Sequence, residues 1–185
     1  MAGFQLQGRR MSLQLVERDH LKKRVEFLND PEVQKTLNFD YPTSLAKTEA
    51  WFSKNLLAPN RVDFTFIRNE DSAVIGFGGF INVNTKARKA ELYIFVGDKS
   101  CWGKGFGRDG YKLLVNYGFA ELGLERIYLY QLAENERAVK ATAALGWKTE
   151  GLLRKDIWSH GELKDQYVLS ILREEWEGNG LYAAL

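Results

Sequence analysis

The chain has 185 residues, 45% of them hydrophobic, long enough for one domain with a real core and short for two. Its 26 Lys plus Arg against 24 Asp plus Glu leave a formal charge of +2, and no block of about five or six like charges marks a nucleic-acid arm or a charged disordered tail. A lone cysteine, Cys101, excludes an internal disulfide and fits a reducing, cytoplasmic setting; no His/Cys cluster has metal-ligand spacing, and neither an export segment nor a run of ~18 apolar residues suggests a membrane.

Met11 to Val16 alternates like a short strand, and "ERDHLKKRVEFLND" then sets Leu21, Val25 and Leu28 on one helical face until Asn29-Asp30-Pro31 ends it. "PEVQKTL" predicts a brief second helix, and "YPTSLAKTEAWFSKNLLA" a third, capped by Thr43 or Ser44, with Trp51, Phe52 and Leu56 on its apolar side. "VDFTFIR" and "AVIGFGGFINV", joined by the polar turn 69–72, read as a hairpin, and "KAELYIFV" follows as a third strand. After the glycine-rich stretch, Tyr111, Leu114, Val115, Phe119 and Leu122 recur at helical spacing before the strand "RIYLYQL", which makes a βαβ crossover. "ENERAVKATAALGW" is a short helix ending at Gly146, and the segment from Trp147 to Trp176 reads as two strands turning at His160-Gly161.

The stretch "SCWGKGFGRDGYKLL" carries the chemistry. Gly105 to Gly110 spells G-x-G-x-x-G, but eight residues, Gly97 to Lys104, separate it from the preceding strand, where a dinucleotide fold turns directly. A triphosphate loop fails as well, because Gly105 stands where a Ser or Thr should bind magnesium. What remains is general physics: Gly103, Gly105 and Gly107 let successive amides converge at a helix N-terminus that favours an anion, and Lys104 and Arg108 add charge. The loop reads as a diphosphate cradle, or else as a glycine-rich turn that merely admits the chain to a helix.

From "FLNDPEV" through "ELYIFV", "WGKGFGRDG" and "NERAVKATAALGW" to "YVLSILREEW", the chain resembles the GNAT superfamily of N-acetyltransferases, and within it the RimJ/RimL-type ribosomal-protein acetyltransferases. The resemblance covers nearly all of residues 1–185, read as one domain. It implies a mixed α/β (α+β) fold with a mostly antiparallel sheet of six to seven strands flanked by helices, and acetyl-CoA as cosubstrate with no metal. The family motif Q/R-x-x-G-x-G/A falls on Trp102 to Gly107, with Trp102 in place of Q/R. The coenzyme's pyrophosphate would lie on the amides of Gly103, Lys104, Gly105, Phe106, Gly107 and Arg108, and its pantetheine beside the strand ending Phe95-Val96, whose backbone would also meet the oxyanion. Asn135 matches the asparagine that positions the pantetheine arm, and Glu91 the glutamate that serves as general base, its alternative being an ordinary solvent-facing carboxylate. The family tyrosine that protonates the departing thiolate falls, seven residues after Asn135, on Thr142, a far poorer acid whose catalytic part is at most a hydrogen bond to the sulfur, with protonation left to water or to another tyrosine. Tyr128 and Tyr130 are the other tyrosines considered for that task, and they read better as strand packing. His20 reads as a surface residue, His160 as turn chemistry, Cys101 as structural, and Trp51, Trp147 and Trp176 as core.

The resemblance implies an acceptor entering between "NFDYPTS" and "WSHGELK", where Asp40, Tyr41, Trp158 and Glu162 would meet it. Few carboxylates in these stretches favour a protein N-terminal amine or a small-molecule amino sugar over a polyamine. Two function classes stand: an acetyl-CoA-dependent N-acetyltransferase acting as monomer or homodimer, and a catalytically weak acyl-CoA-binding sensor or scaffold, suggested by the missing tyrosine. A dinucleotide enzyme is a distant third.

Overall fold

Runs rich in β-branched and aromatic residues supply the strands, as expected for a pleated surface buried on at least one face. The computed structural model describes residues 5–37, 39 and 41–178. Its strands are β1 Gln5–Gln7, β2 Met11–Leu15, β3 Val62–Arg68, β4 Val74–Asn84, β5 Lys89–Val96, β6 Arg126–Leu132, β7 Lys148–Ser159 and β8 Glu162–Leu172. They form one eight-stranded sheet in the order β1-β2-β3-β4-β5-β6-β8-β7. Every neighbouring pair is antiparallel except β5 and β6, which the crossover makes parallel. The sheet exceeds the expected six to seven strands by β1, whose three residues are too few to show a period.

The helices are α1 Leu21–Asn29, α2 Pro31–Gln34, α3 Leu45–Asn55, α4 Phe106–Ala120, α5 Glu136–Ala143 and α6 Arg173–Gly178. Asp30 ends α1 and caps α2, its side chain accepting from the amides of Glu32 and Val33 with Pro31 in the first turn. Ser44, rather than Thr43, caps α3 through the amide of Lys47 at 3.1 Å. Strand alternation sends Ala90 and Leu92 of β5 into a core that includes Leu114 and Phe119 of α4, and Phe95 into a second core with Phe27 of α1 and Phe52 of α3. The sheet is thus covered on both faces, and β5 contributes to each.

Two sequence expectations fail on the α1–α3 side. Leu56 is 64% exposed, beyond the end of the α3 stripe. In α1 the inward positions are Leu21, Arg24, Phe27 and Leu28, with Val25 only half-buried. Arg24 is tolerated there because its guanidinium lies over the rings of Trp51 at 4.3 Å and Phe77 at 5.2 Å.

The far end of the chain holds α4 in place. Trp176 of α6 is fully buried and its indole N–H donates to Asn116 Oδ1 of α4 at 2.7 Å. Replacing Trp176 by Phe leaves that oxygen buried without a donor, so urea unfolding should show a loss of about 1–3 kcal/mol. An unchanged unfolding midpoint would mean that the tie does not stabilise α4.

Candidate active site

Parallel pairing between β5 and β6 extends only over Lys89↔Arg126, Ala90↔Ile127 and Glu91↔Tyr128. Beyond Glu91 the two strands part, β5 staying with β4 as far as Val96 and β6 with β8 as far as Leu132. Two cavities open in the parting. The inner one, ≈ 270 Å³, lies between Glu91 to Ile94 of β5 and Leu129 to Leu132 of β6. The outer one, ≈ 390 Å³, runs from Ile94 to Val96 across the glycine loop to Arg137 and Ala141 of α5.

The loop gains its shape from positive φ angles, +74° at Gly103 and +86° at Gly105, which caps α4 without any side-chain hydrogen bond. The amides of the first turn of α4 are therefore left for an external acceptor. Gly107 is different. A Cβ there would meet nothing closer than Val96 Cγ2 at 3.9 Å, so its missing side chain is not filled by the protein itself. A Cβ at Gly105 would strike the Arg10 guanidinium at 2.6 Å.

Arg10, distant in sequence, clamps the loop from behind. Its Nε donates to Asp109 Oδ2 at 2.7 Å, its Nη1 donates to the carbonyl of Lys104, and its guanidinium lies over the Phe106 ring. Lys104 and Arg108 are exposed, as charges facing an anionic ligand should be. Phe106 is turned into the core and offers the site only its amide. Trp102, the departure from the family motif, donates its indole N–H to the Val96 carbonyl at 2.8 Å and stacks under Arg137. It fastens the loop to the end of β5.

Glu91 lines the inner cavity, half-buried, with Asn82 Nδ2 donating to its Oε2 at 2.9 Å. Burial pushes its carboxyl above the ordinary range and the Asn82 bond partly opposes this. Asn82 reaches it from an irregular stretch of β4, where φ is +53°. Asn135 caps α5, accepting from the amide of Ala138 at 3.1 Å and donating to the Thr36 carbonyl at 3.4 Å, and it lines both cavities.

Thr142 is placed where it cannot act. It is wholly buried, and its hydroxyl donates back to the carbonyls of Ala138 and Val139 within α5. Counting from Asn135 finds the position, but the residue there serves the helix and the core. Tyr128 and Tyr130 pack edge to face, and Tyr130 alone of the two touches the inner cavity. His20 is half-buried rather than on the surface, its Nδ1 within 2.9 Å of Thr65 Oγ1. His160 occupies the turn at φ +51°, with Nε2 3.3 Å from the Gln34 carbonyl. Cys101, Trp147 and Trp176 are buried, whereas Trp51 is half-buried, with the Arg24 and Arg61 guanidiniums over its ring.

Beside the inner cavity, Tyr93 donates to Asp63, which also accepts from Arg61 Nε at 2.7 Å. Tyr41 and the β7–β8 turn line a third cavity with Glu134 and Lys164, themselves an ion pair. Trp158, 67% exposed, and Glu162 lie outside it, and Asp40 is outside the described residues. Gln131 was not foreseen as a site residue. It lines the inner cavity, 7% exposed, with neither end of its amide paired among the described residues. Alternation in "RIYLYQL" sets it inward with Ile127 and Leu129, so a period-two reading carries the signal.

These features fit acetyl-CoA: uncapped helix amides and an open Gly107 for its diphosphate, and an unpartnered buried amide with a free strand edge for its pantetheine. The family model described as "Acetyltransferase (GNAT) domain" matches residues 10–148. The N-acetyltransferase p20 of Bacillus licheniformis is 30% identical over 172 residues, 91% of this chain and 96% of that protein. Escherichia coli spermidine N(1)-acetyltransferase is 28% identical over 111 residues, 60% of this chain and 59% of that one. The solved structure of spermidine N-acetyltransferase from Vibrio cholerae in complex with CoA and spermine gives a TM-score of 0.85 at 25% identity, covering 91% of this chain and 98% of that one.

Gly107→Val puts a Cβ where the nearest protein side chain is 3.9 Å away, so calorimetric titration should show acetyl-CoA bound at least ~10-fold more weakly, about 1.4 kcal/mol, with the melting temperature nearly held. Gly105→Val should lose stability as well, from its φ and from Arg10. Wild-type affinity in Gly107→Val would put the diphosphate elsewhere.

Proposed function

The chain belongs to the acetyltransferase (GNAT) domain family, and from that premise we propose that it transfers the acetyl group of acetyl-CoA to a small aliphatic primary amine, with Glu91 taking up the amine's proton. The observation that carries this reading is the parting of β5 and β6, which joins an anion-binding helix start at one end to a half-buried carboxylate at the other. Acetyl-CoA supplies an activated acyl group; the residues of the chain supply position and proton transfer. An alkylammonium near pKa ~10.4 must lose a proton before it attacks, and Glu91, raised by burial, receives it directly or through water. The free edge of β5 around Phe95 and Val96 offers amide N–H groups to the oxyanion that forms as the amine adds.

The acceptor shifts from the sequence expectation. Relatives named for spermidine favour a polyamine-like alkyl amine over a protein N-terminus or an amino sugar. The inner cavity supports this: Leu92, Ile94 and Leu129 give it apolar walls, and its one guanidinium, Arg61, is already neutralised by Asp63. The narrower RimJ/RimL-type branch rests on the sequence stretches that carry the resemblance. The sensor alternative keeps its motive at this position, because Thr142 is a core residue that cannot stand in for the missing tyrosine, and turnover decides between the two.

Thiol release should therefore be fastest with spermidine, by about 10-fold or more in kcat/KM over an amino sugar or a peptide amine, since each ~1.4 kcal/mol of transition-state binding is tenfold. Preference for the peptide would move the acceptor to a protein N-terminus. Binding of acetyl-CoA with no release to any amine would favour the sensor.

Glu91→Gln should keep coenzyme affinity and lower kcat by about 10² to 10⁴. Because the carboxyl is raised, wild-type activity should fall as pH drops through a value above the ordinary carboxylate range. That acidic limb should vanish in the variant, whose deficit narrows as pH approaches the amine's own pKa. An unaltered pH profile in Glu91→Gln would remove Glu91 from the reaction.

A further inference from the structure

We propose that Tyr111 donates a hydrogen bond from its hydroxyl to the sulfur that departs during acyl transfer, a contact that the inward-turned Thr142 cannot make. The proposal rests on the acetyl-transfer reading above. Tyr111 lies one helical turn beyond Gly107 on α4 and lines both cavities. An acyl donor held by its diphosphate on the glycine loop, with its carbonyl presented to an amine beside Glu91, must run through the region that the two cavities share. Three side chains there carry N–H or O–H groups: Thr36, Asn135 and Tyr111. Thr36 Oγ1 donates to the Val33 carbonyl at 2.8 Å, and Asn135 is committed at both ends of its amide. The Tyr111 hydroxyl has no hydrogen-bond partner among the described residues; burial is the sole influence on it, and its ring is fixed edge to face against Trp147 at 6.0 Å.

The faces of the sheet also match the task. Tyr111 belongs to the core on the α4 side, whereas Glu91 shares its β5 face with Phe95, on the α1–α3 side. Amine and sulfur are thus served from opposite faces. As the nitrogen bonds to the carbonyl carbon, the C–S bond breaks and its electron pair goes to sulfur, while the amine's proton goes to Glu91 or its water. Tyr111 stabilises the growing charge by a hydrogen bond and keeps its proton: burial raises a phenol already near ~10, above a thiol near ~8.5. The thiolate then collects its proton from solvent.

Tyr111→Phe removes one oxygen and keeps the ring. It should lower kcat about 10-fold or more, with KM for acetyl-CoA and melting temperature nearly unchanged, because a hydrogen bond to a charged atom is lost. At pH ~9.5, above a typical thiol pKa, the variant should bind CoA about 10-fold more weakly than wild type and desulfo-CoA equally well. Unchanged kcat and unchanged CoA affinity in Tyr111→Phe would overturn the proposal while leaving the acetyl-transfer reading intact. Equal losses toward CoA and desulfo-CoA with a lowered melting temperature would also overturn it, as packing damage. Wild-type protein that releases no thiol with any amine would instead overturn the functional reading.

Discussion

A backbone N–H or C=O that leaves a sheet ladder inside a protein must find another partner or bear the penalty of desolvation. The inner edge of β5 beyond Leu92 is in that position, because β6 leaves it after Glu91, until Trp102 takes up the Val96 carbonyl. Each strand is held by its outer neighbour instead, β5 by β4 and β6 by β8, so the gap stays open without unravelling the sheet. An extended chain bearing amides is the natural complement to such an edge, as when a peptide adds a strand to a sheet. The pantetheine arm of coenzyme A meets that description, and the unpaired amide of Gln131 on the opposite wall asks for the same kind of partner.

The loop that precedes α4 extends this logic to the diphosphate. What the site offers an anion there is chiefly the uncapped helix amides and the loop's conformation; Lys104 and Arg108 are exposed and their charges are screened by solvent. The loop keeps its shape because Arg10 grips it from β2's approach and Trp102 pins it to the Val96 carbonyl. Arg10 and Trp102 are positioning residues, and neither need touch the coenzyme to matter. On the other face, Arg24 sits among Trp51, Phe39, Phe77 and Phe95, a buried cation held by rings, beside the Tyr93–Asp63–Arg61 group that borders the inner cavity.

Much of this was legible in the sequence, for identifiable reasons. Strands of seven to eleven residues such as "VDFTFIR" and "AVIGFGGFINV" show their period, and the cap of α3 follows from the side-chain chemistry of the Thr43-Ser44 pair. The three residues of β1 carry no such signal. That Glu91 and the glycine loop line the two cavities was legible because motif spacing and strand position coincide at both. Thr142 was misread because a count along the chain gives a position and not a direction, and its hydroxyl turns back into α5. Arg24 was passed over because a charge on a helix usually faces water, and Arg10 because its partners lie 94 and 99 residues away. Tyr111 recurs at helical spacing with Leu114 and Val115 and so reads as core; that its hydroxyl is left over is a property of the packed protein alone.

Hydrogen–deuterium exchange of the backbone amides, with and without acetyl-CoA, addresses the parting of β5 and β6 most directly. If the coenzyme completes the free edge and the uncapped helix, slowed exchange should concentrate in residues 92–96 and 103–108, with the β7–β8 hairpin little altered. Slowed exchange elsewhere, with those two segments unchanged at saturating acetyl-CoA, would contradict the placement of the coenzyme in the gap.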